Sequence, residues 1–287
     1  MKLALLGTGL MGYPMAEKLL EAGYQLCVYN RTIEKALPLE QAGAKVVSTS
    51  AEAIEQSDVA ILMLTDANAI SEVLFSPKSS ISFSQKTIIQ MGTILPEESL
   101  QFESRICSGG GVYLEAPVLG STPNVIEKSL FTMVGADSKE DFDKFQPIFN
   151  AFSKAVYYVG PVGKAAALKL ALNQLIASLA SAFSLSLGLI LKEEIDVDLF
   201  MDILRKSALY APTFDKKLNR MLERNFSNPN FPAKHLLKDV QLVSREVQKC
   251  GLHTSLVQSL IEILQQTITA GHGEEDYSVL FNTICPQ

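Results

Sequence analysis

The sequence predicts a doubly wound α/β domain followed by an all-helical domain, joined by a long apolar helix. Three observations carry this expectation. Short apolar runs alternate with helical patterns through the first half, and a glycine-rich turn sits between the first strand and the first helix. From about Gly163 onward only helical periodicity remains.

The elements follow in order. Leu3–Leu6 reads as a strand, followed by glycines and by Met15–Ala22, whose apolar residues have helical spacing and stop at Gly23. Gln25–Tyr29 is the next strand, then comes a polar helix near Ile33–Ala42 ending at Gly43. Val46–Val47 reads as a short strand and Ala51–Gln56 as a short helix. Val59–Leu64 and Thr87–Gln90 are uninterrupted β-rich runs, the pattern of strands buried on both faces. Tyr113–Ala116 and Phe131–Val134 complete the set. Strands alternating with helices imply a mostly parallel sheet, and right-handed crossovers place the loops after its strands along one ligand-binding edge. In the second half Ala165–Leu191, Val197–Lys206, Tyr210–Arg224, Ala233–Lys249 and Ser255–Ala270 read as helices. Pro229 and Pro232 mark the loop before the fourth of these.

A length of 287 residues suggests two domains, here 1–162 for dinucleotide binding and 163–287 for substrate binding and dimerisation, with 163–191 as the linking helix. The net charge of −6 supplies no basic field to attract nucleic acid. Cys27, Cys107, Cys250 and Cys285 are far apart, which argues against a zinc site or a disulfide framework and fits a reducing, cytoplasmic compartment. No metal ligand set is expected. The apolar start before Gly7 is too short for a signal peptide. Between Lys169 and Lys192 the chain is uncharged for long enough to cross a bilayer. Asn173, Gln174, Ser178, Ser181, Ser184 and Ser186 along it instead suggest the centre of a large protein or of its dimer, and no membrane partner.

Gly7-Thr8-Gly9-Leu10-Met11-Gly12 is the strongest chemical signal. It follows a strand and opens a helix, the setting in which Gly7, Gly9, Leu10, Met11 and Gly12 cradle a pyrophosphate. A packing turn without a ligand is the bland alternative. The second strand ends Val28-Tyr29-Asn30-Arg31-Thr32, with no acid to bind a ribose 2′-hydroxyl. Asn30 and Thr32 can hydrogen-bond a phosphate and Arg31 can pair with its charge, so the cofactor expected is NADP(H). The loops at Leu64-Thr65 and Gly92-Thr93 lie at the same sheet edge, where they either border the ribose or form ordinary turns. Lys169 and Asn173 are four residues apart and share one helix face. On spacing alone the bland reading of Lys169, a lysine snorkelling at a helix end, comes first. Lys234 and Lys238 form a second such pair, ahead of Asp239, and two lysines on one face usually meet only solvent. His235, His253 and His272 receive no role.

These motifs, in this order, resemble the β-hydroxyacid dehydrogenase family over nearly the whole chain. Gly7 through Met15 is similar to its G-L-G-x-M-G-x-x-M opening, apart from the second position. Glu115-Ala116-Pro117-Val118-Leu119-Gly120-Ser121 resembles its substrate loop, D-A-P-V-S-G-G or -S. Lys169 through Asn173 falls on its K-L-x-x-N, Lys238-Asp239 on its K-D, and Gly273 through Ser278 on its G-x-x-D-x-S. The resemblance implies Lys169 and Asn173 as catalytic residues, with Leu64, Thr65, Thr93 and Lys238 toward the cofactor. It implies Gly120, Ser121, Phe231 and Asp239 toward the substrate. Within the family, Asn30-Arg31-Thr32 resembles the NADPH-dependent glyoxylate and succinic semialdehyde reductases. Leu119 departs from the family by replacing a serine, and Glu127-Lys128-Ser129 replaces a turn that commonly contains glycine.

The expected activity is therefore NADPH-dependent reduction of a small aldehyde or keto acid, in a homodimer or homotetramer. An imine reductase on the same scaffold is the alternative within this class, although the resemblance implies a replaced lysine there. A non-catalytic NADP-binding module is the alternative from another class, and the retained Lys169 and Asn173 speak against it. A methyltransferase gives Arg31 no purpose.

Overall fold

The computed structural model describes residues 1–76 and 81–286. They form two compact units, Met1–Lys169 and Leu170–Gln287, and the division falls inside one long helix.

In chain order the first unit contains β1 (Lys2–Leu6), α1 (Gly12–Glu21), β2 (Gln25–Tyr29), α2 (Pro38–Gln41), β3 (Lys45–Val47) and α3 (Ser50–Glu55). It continues with β4 (Val59–Leu62), α4 (Ala67–Phe75), β5 (Thr87–Gln90), α5 (Pro96–Ser108), β6 (Val112–Glu115) and β7 (Val118–Leu119). Then follow α6 (Thr122–Ile126), β8 (Leu130–Gly135), α7 (Lys139–Phe149), β9 (Ser153–Gly160) and the start of α8 (Lys164–Lys192). Among the described residues the sheet runs β3-β2-β1-β4-β5-β6-β8-β7, with β9 paired to β8. The strands β1 to β6 pair in parallel, whereas β8 is antiparallel to β6 and β7. The unit is the doubly wound parallel sheet of a Rossmann domain.

The alternation along each strand explains the layering. Leu3, Leu5, Val28, Ile61 and Ile89 face one core, and Ala4, Leu6, Cys27, Leu62 and Ile88 face the other. Both faces are therefore dry, and each fully buried Leu or Ile contributes about 1.5–3 kcal/mol to holding helices on both sides. Because β1, β2, β4 and β5 run the same way, Gly7, Asn30, Met63 and Met91 all emerge at one sheet edge.

Some elements differ from the sequence expectation. The helix expected near Ile33–Ala42 splits into a 3₁₀ turn at Ile33–Lys35 and the single turn α2, because Pro38 starts a new helix and cannot continue an old one. The strand expected over Val59–Leu64 ends at Leu62. The strand β9 is not among the expected elements, although Ala155–Val159 is rich in β-formers. It lies at the sheet margin with Tyr157 half exposed, so it lacks the buried signature of β4 and β5.

The second unit contains the rest of α8, then α9 (Val197–Lys206), α10 (Pro212–Leu222), α11 (Ala233–Lys249), α12 (Ser255–Thr269) and α13 (Leu280–Ile284). Phe183 and Leu187 of α8 join Met201, Phe214, Met221 and Phe281 in its core, with the Phe183 and Phe214 rings stacked 4.7 Å apart. By length and composition α8 could cross a membrane, and a third of its most apolar stretch is buried. The segment after α12 is fastened by a buried ion pair. Lys217 Nζ lies 2.7 Å from Asp276 Oδ1, which also accepts the Ser278 hydroxyl. Asp276 donates its N–H to Phe226, and Tyr277 donates to Phe231, so the loop before α11 is held by the C-terminal segment.

One group in the first unit ties its stability to pH. Glu103 of α5 faces Asp137, and burial first, then the hydrogen bond and charge of Asp137, push its pKa up to about 7. The folded state keeps a proton that the unfolded chain releases near pH ~4.3. The stability Glu103 supplies is complete below that value and is lost as pH rises toward 7. Glu103→Gln, which stays neutral, should therefore raise the melting temperature more at about pH 8 than at about pH 5. Equal shifts at both values would show that Glu103 does not titrate this way.

Candidate active site

The turn after β1 gives each glycine a separate reason. Gly7 has φ +103°, and a Cβ there would lie 2.4 Å from the Met63 carbonyl oxygen. At Gly12 a Cβ would lie 1.9 Å from the Gly7 carbonyl oxygen, so the first turn of α1 packs onto the loop only without a side chain. Nothing lies within 4 Å of the corresponding position at Gly9, where the backbone is open to a ligand. Leu10 is exposed and Met11 caps α1, whose N-terminal N–H groups point from Gly12 toward this opening. Thr8 Oγ1 is buried there with no hydrogen-bond partner. An open, N–H-rich turn at a helix N-terminus with an orphaned hydroxyl fits a dinucleotide pyrophosphate.

Neighbouring segments are bonded to this turn. Gly7 N–H donates to Tyr29 O, and Thr8 N–H donates to Asn30 Oδ1 at 3.0 Å. Asn30 Nδ2 donates to Thr32 O at 2.7 Å, so Asn30 shapes the loop, while the Arg31 side chain is exposed beside it. A Cβ on Gly92 would lie 2.4 Å from Leu64 O, which brings the Leu64-Thr65 and Gly92-Thr93 loops together. The Thr122 hydroxyl donates to Leu10 O at 3.0 Å and fastens the start of α6 to the glycine turn. Just before it, Gly120 has φ +131°, and Ser121 N–H donates to Asn124 Oδ1 at 3.0 Å. Asn124 Nδ2 reaches Ser129 Oγ, closing the loop. The Ser121 N–H is thus already committed. The Ser121 hydroxyl also lies 3.4 Å from Asn124 Oδ1, with Gly120 exposed and Leu119 partly exposed alongside.

Lys169 is half buried on α8, and Asn173 follows one turn later. Within the second unit Asn173 is buried and donates through Nδ2 to Asp239 Oδ2 at 2.6 Å. Its Oδ1 has no hydrogen-bond partner. Lys238 Nζ lies 2.7 Å from Asp239 Oδ1, so Asp239 is a buried bridge between Asn173 and Lys238. Phe231 packs edge-on against Tyr277, with ring centres 5.9 Å apart. Lys234 pairs with Glu274, and His235 has its pKa lowered by burial and then by Lys234 and Lys238. Among the described residues no cluster of His, Cys, Asp or Glu could hold a metal. A cavity of about 620 Å³ lined by Lys2, Gln25, Asp58 and Lys86 opens at the amino ends of the strands, away from this edge.

Residues 2–160 match the family described as the NAD binding domain of 6-phosphogluconate dehydrogenase. Residues 163–284 match the family described as NAD-binding of NADP-dependent 3-hydroxyisobutyrate dehydrogenase. The chain is 31% identical over 286 residues to glyoxylate/succinic semialdehyde reductase 1 of Arabidopsis thaliana, covering 99% of this chain and 98% of that one. The chain belongs to the β-hydroxyacid dehydrogenase family.

Like other β-hydroxyacid dehydrogenases it is an NAD(P)-dependent oxidoreductase, and the expectation of NADP(H) agrees with the NADP-dependent family matched by residues 163–284. It is 32% identical to 2-hydroxy-3-oxopropionate reductase of Escherichia coli strain K12, covering 99% of this chain and 97% of that one. A 3-hydroxyisobutyrate dehydrogenase structure from Salmonella typhimurium superposes with a TM-score of 0.87 at 19% identity, over 98% of this chain and 99% of the other. This likeness confirms the fold.

Sequence reasoning gave no individual role to the residues whose side chains brace these loops and the start of α8. Thr122 and Asn124 belong here, and so does Glu115, a charged residue at the end of the otherwise apolar run of β6. For Asn124 a signal existed, since Ser121-x-x-Asn124 has the spacing of a capping pair.

The three glycines should separate when substituted. Gly9→Ala should leave the melting temperature near wild type and weaken NADPH binding, because a methyl group there meets only the ligand. Gly12→Ala should lower the melting temperature as well, since its methyl group meets the Gly7 carbonyl. Thermal melts with NADPH titration check both, and tight NADPH binding by Gly9→Ala would remove Gly9 from the site.

Proposed function

We propose that the protein is an NADPH-dependent reductase of a small aldehyde or keto acid, such as glyoxylate or succinic semialdehyde, running reversibly as a hydroxyacid dehydrogenase. The observation that carries this reading is the buried Asn173–Asp239–Lys238 constellation, with Asn173 one helical turn from Lys169. A buried asparagine with one committed and one unsatisfied end is costly unless it has a task. Its relatives named as reductases of such substrates support the substrate class.

Bound NADPH supplies the hydride to the carbonyl carbon. The Lys169 ammonium donates its proton to the carbonyl oxygen as charge develops there, and in oxidation the neutral amine takes it back. Asn173, held by Asp239, orients this end of the reaction. The Ser121 hydroxyl and Gly120 hold a carboxylate, and Phe231 and Asp239 take the substrate-side roles that the family resemblance implies. Gly7, Gly9, Leu10, Met11 and Gly12 take the pyrophosphate. Asn30, Arg31 and Thr32 take the 2′-phosphate end, and Leu64, Thr65, Thr93 and Lys238 border the rest of the cofactor. The leucines Leu175, Leu185 and Leu189 of α8 are more than half exposed, an apolar stripe suited to a second copy of this chain. We therefore assign a homodimer or homotetramer, and a cytoplasmic location from the scattered cysteines, which fit a reducing compartment.

NADPH oxidation followed optically with glyoxylate, succinic semialdehyde, methylmalonate semialdehyde and a cyclic imine tests the reaction class, and turnover of the imine alone would reject it. On the preferred substrate Lys169→Ala should lower kcat by about 10²–10⁴-fold with NADPH binding nearly unchanged. Near-normal turnover would end the role of Lys169.

Cofactor choice gives an independent check. A charge-assisted hydrogen bond contributes about 1.5–3 kcal/mol. Arg31→Ala should therefore raise KM for NADPH by roughly 10–100-fold while leaving KM for NADH alone. Parallel increases for both cofactors would move Arg31 away from the 2′-phosphate.

A further inference from the structure

Glu115 closes β6 and is almost completely buried. Its Oε1 accepts the N–H groups of Ala165 at 2.8 Å and Ala166 at 3.1 Å. These are the orphan donors at the start of α8. Its Oε2 accepts the Ser99 hydroxyl, and Ser99 Oγ lies 2.9 Å from the Tyr113 hydroxyl. A Cβ on Gly135 would lie 2.5 Å from Oε1, so the facing strand β8 leaves room for the carboxylate only by carrying glycine. Burial pushes the pKa of this carboxyl up, against the hydrogen bonds from Ser99, Ala166 and Ala165. A buried carboxylate with this many donors is a built cap, reaching from the central sheet to a helix start fifty residues later in the chain.

We infer that Glu115 is a positioning residue for Lys169: its carboxylate fixes the first turn of α8 on the sheet and thereby sets where Lys169 stands. This rests on the reading of Lys169 as the proton donor. In an α-helix the Lys169 N–H bonds the Ala165 carbonyl, so the two residues held by Glu115 are the ones on which the next turn, with Lys169, is built. Reach matters more than charge in this arrangement. Glutamate spans from β6 to the helix N–H groups while still meeting Ser99, and aspartate, one methylene shorter, does not. Glutamine keeps the reach, with its carbonyl oxygen facing Ala165 and Ala166 and its NH₂ facing a Ser99 hydroxyl free to turn toward Tyr113.

The test compares Glu115→Asp and Glu115→Gln in the full chain. A misplacement of this size costs up to about 100-fold. Glu115→Asp should lose about 10–100-fold in kcat with KM for NADPH unchanged, and amide hydrogen exchange at 165–169 should speed up. Glu115→Gln should recover kcat to within about threefold of wild type and restore slow exchange. In a Lys169→Ala background Glu115→Asp should cost almost nothing further, because it acts through Lys169. Wild-type kcat in Glu115→Asp would overturn the inference, as would equal losses in Asp and Gln or a full additive loss without Lys169. If Lys169→Ala alone keeps turnover while exchange at 165–169 still responds to Glu115→Asp, the proton-donor reading has failed and the cap has not.

Discussion

A carboxylate away from water is the constraint around which the first unit is organised. An unpaired buried carboxylate would cost several kcal/mol, and in practice such a group neutralises or finds donors. Glu115 finds them in the N–H groups at the start of α8, which need an acceptor as much as the carboxylate needs donors. The helix dipole adds to the match, since negative charge is favoured at a helix N-terminus. Removing either partner would leave the other unsatisfied. The end of β6, the glycine in β8 and the first turn of α8 are therefore set together.

A second knot lies at the opposite end of the same logic, where backbone approaches backbone. The Gly7 carbonyl occupies the space where a Gly12 side chain would be, and the Met63 carbonyl does the same at Gly7. Close approach frees the Gly9 region and aims α1 at it. Asn30 and Thr122 then bond the turn to β2 and to α6. The loop that closes on Ser121 is thus attached to the turn suited to a dinucleotide, so the two proposed ligand ends of the first unit share one support.

What the sequence reveals follows from the range of each interaction. Gln25–Tyr29, Thr87–Gln90, Val197–Lys206 and Ala233–Lys249 are elements at those same residues, because local periodicity and turn residues decide them. The glycine pattern is legible from its spacing between a strand and a helix, although of its glycines only Gly12 answers a demand within five residues, while Gly7 makes room for the distant Met63 carbonyl. The helix-start partners of Glu115 and the partners of Asn173 and Lys217 are not legible, because they lie 50 to 66 residues away in the chain and no local pattern encodes them. In the sequence Asn173 stands out as a polar group in an apolar helix, one turn from Lys169 in a motif that resembles the family's. That it is held by Asp239, and that Asp239 is held in turn by Lys238, needed the fold.

The same distinction bears on the substrate end. Backbone N–H groups at Gly120 and Ser121 look equivalent in sequence, yet the Ser121 N–H is spent on Asn124, which locks the loop through Ser129. Leu119 contributes no hydroxyl. An anion at this loop therefore meets fewer donors than a turn of glycine and serine suggests, and each missing charged hydrogen bond weakens binding by about 1.5–3 kcal/mol. Beside it, Leu119 faces Phe131 across the β7–β8 pair, and Phe131 stacks on Tyr157. With Gly120 and Ser121 proposed as the carboxylate-binding end, recognition leans on one hydroxyl, turned to the anion from its long 3.4 Å bond to Asn124, and on an apolar neighbour. Such a site distinguishes substrates by the shape next to the carbonyl more than by the strength of their carboxylate.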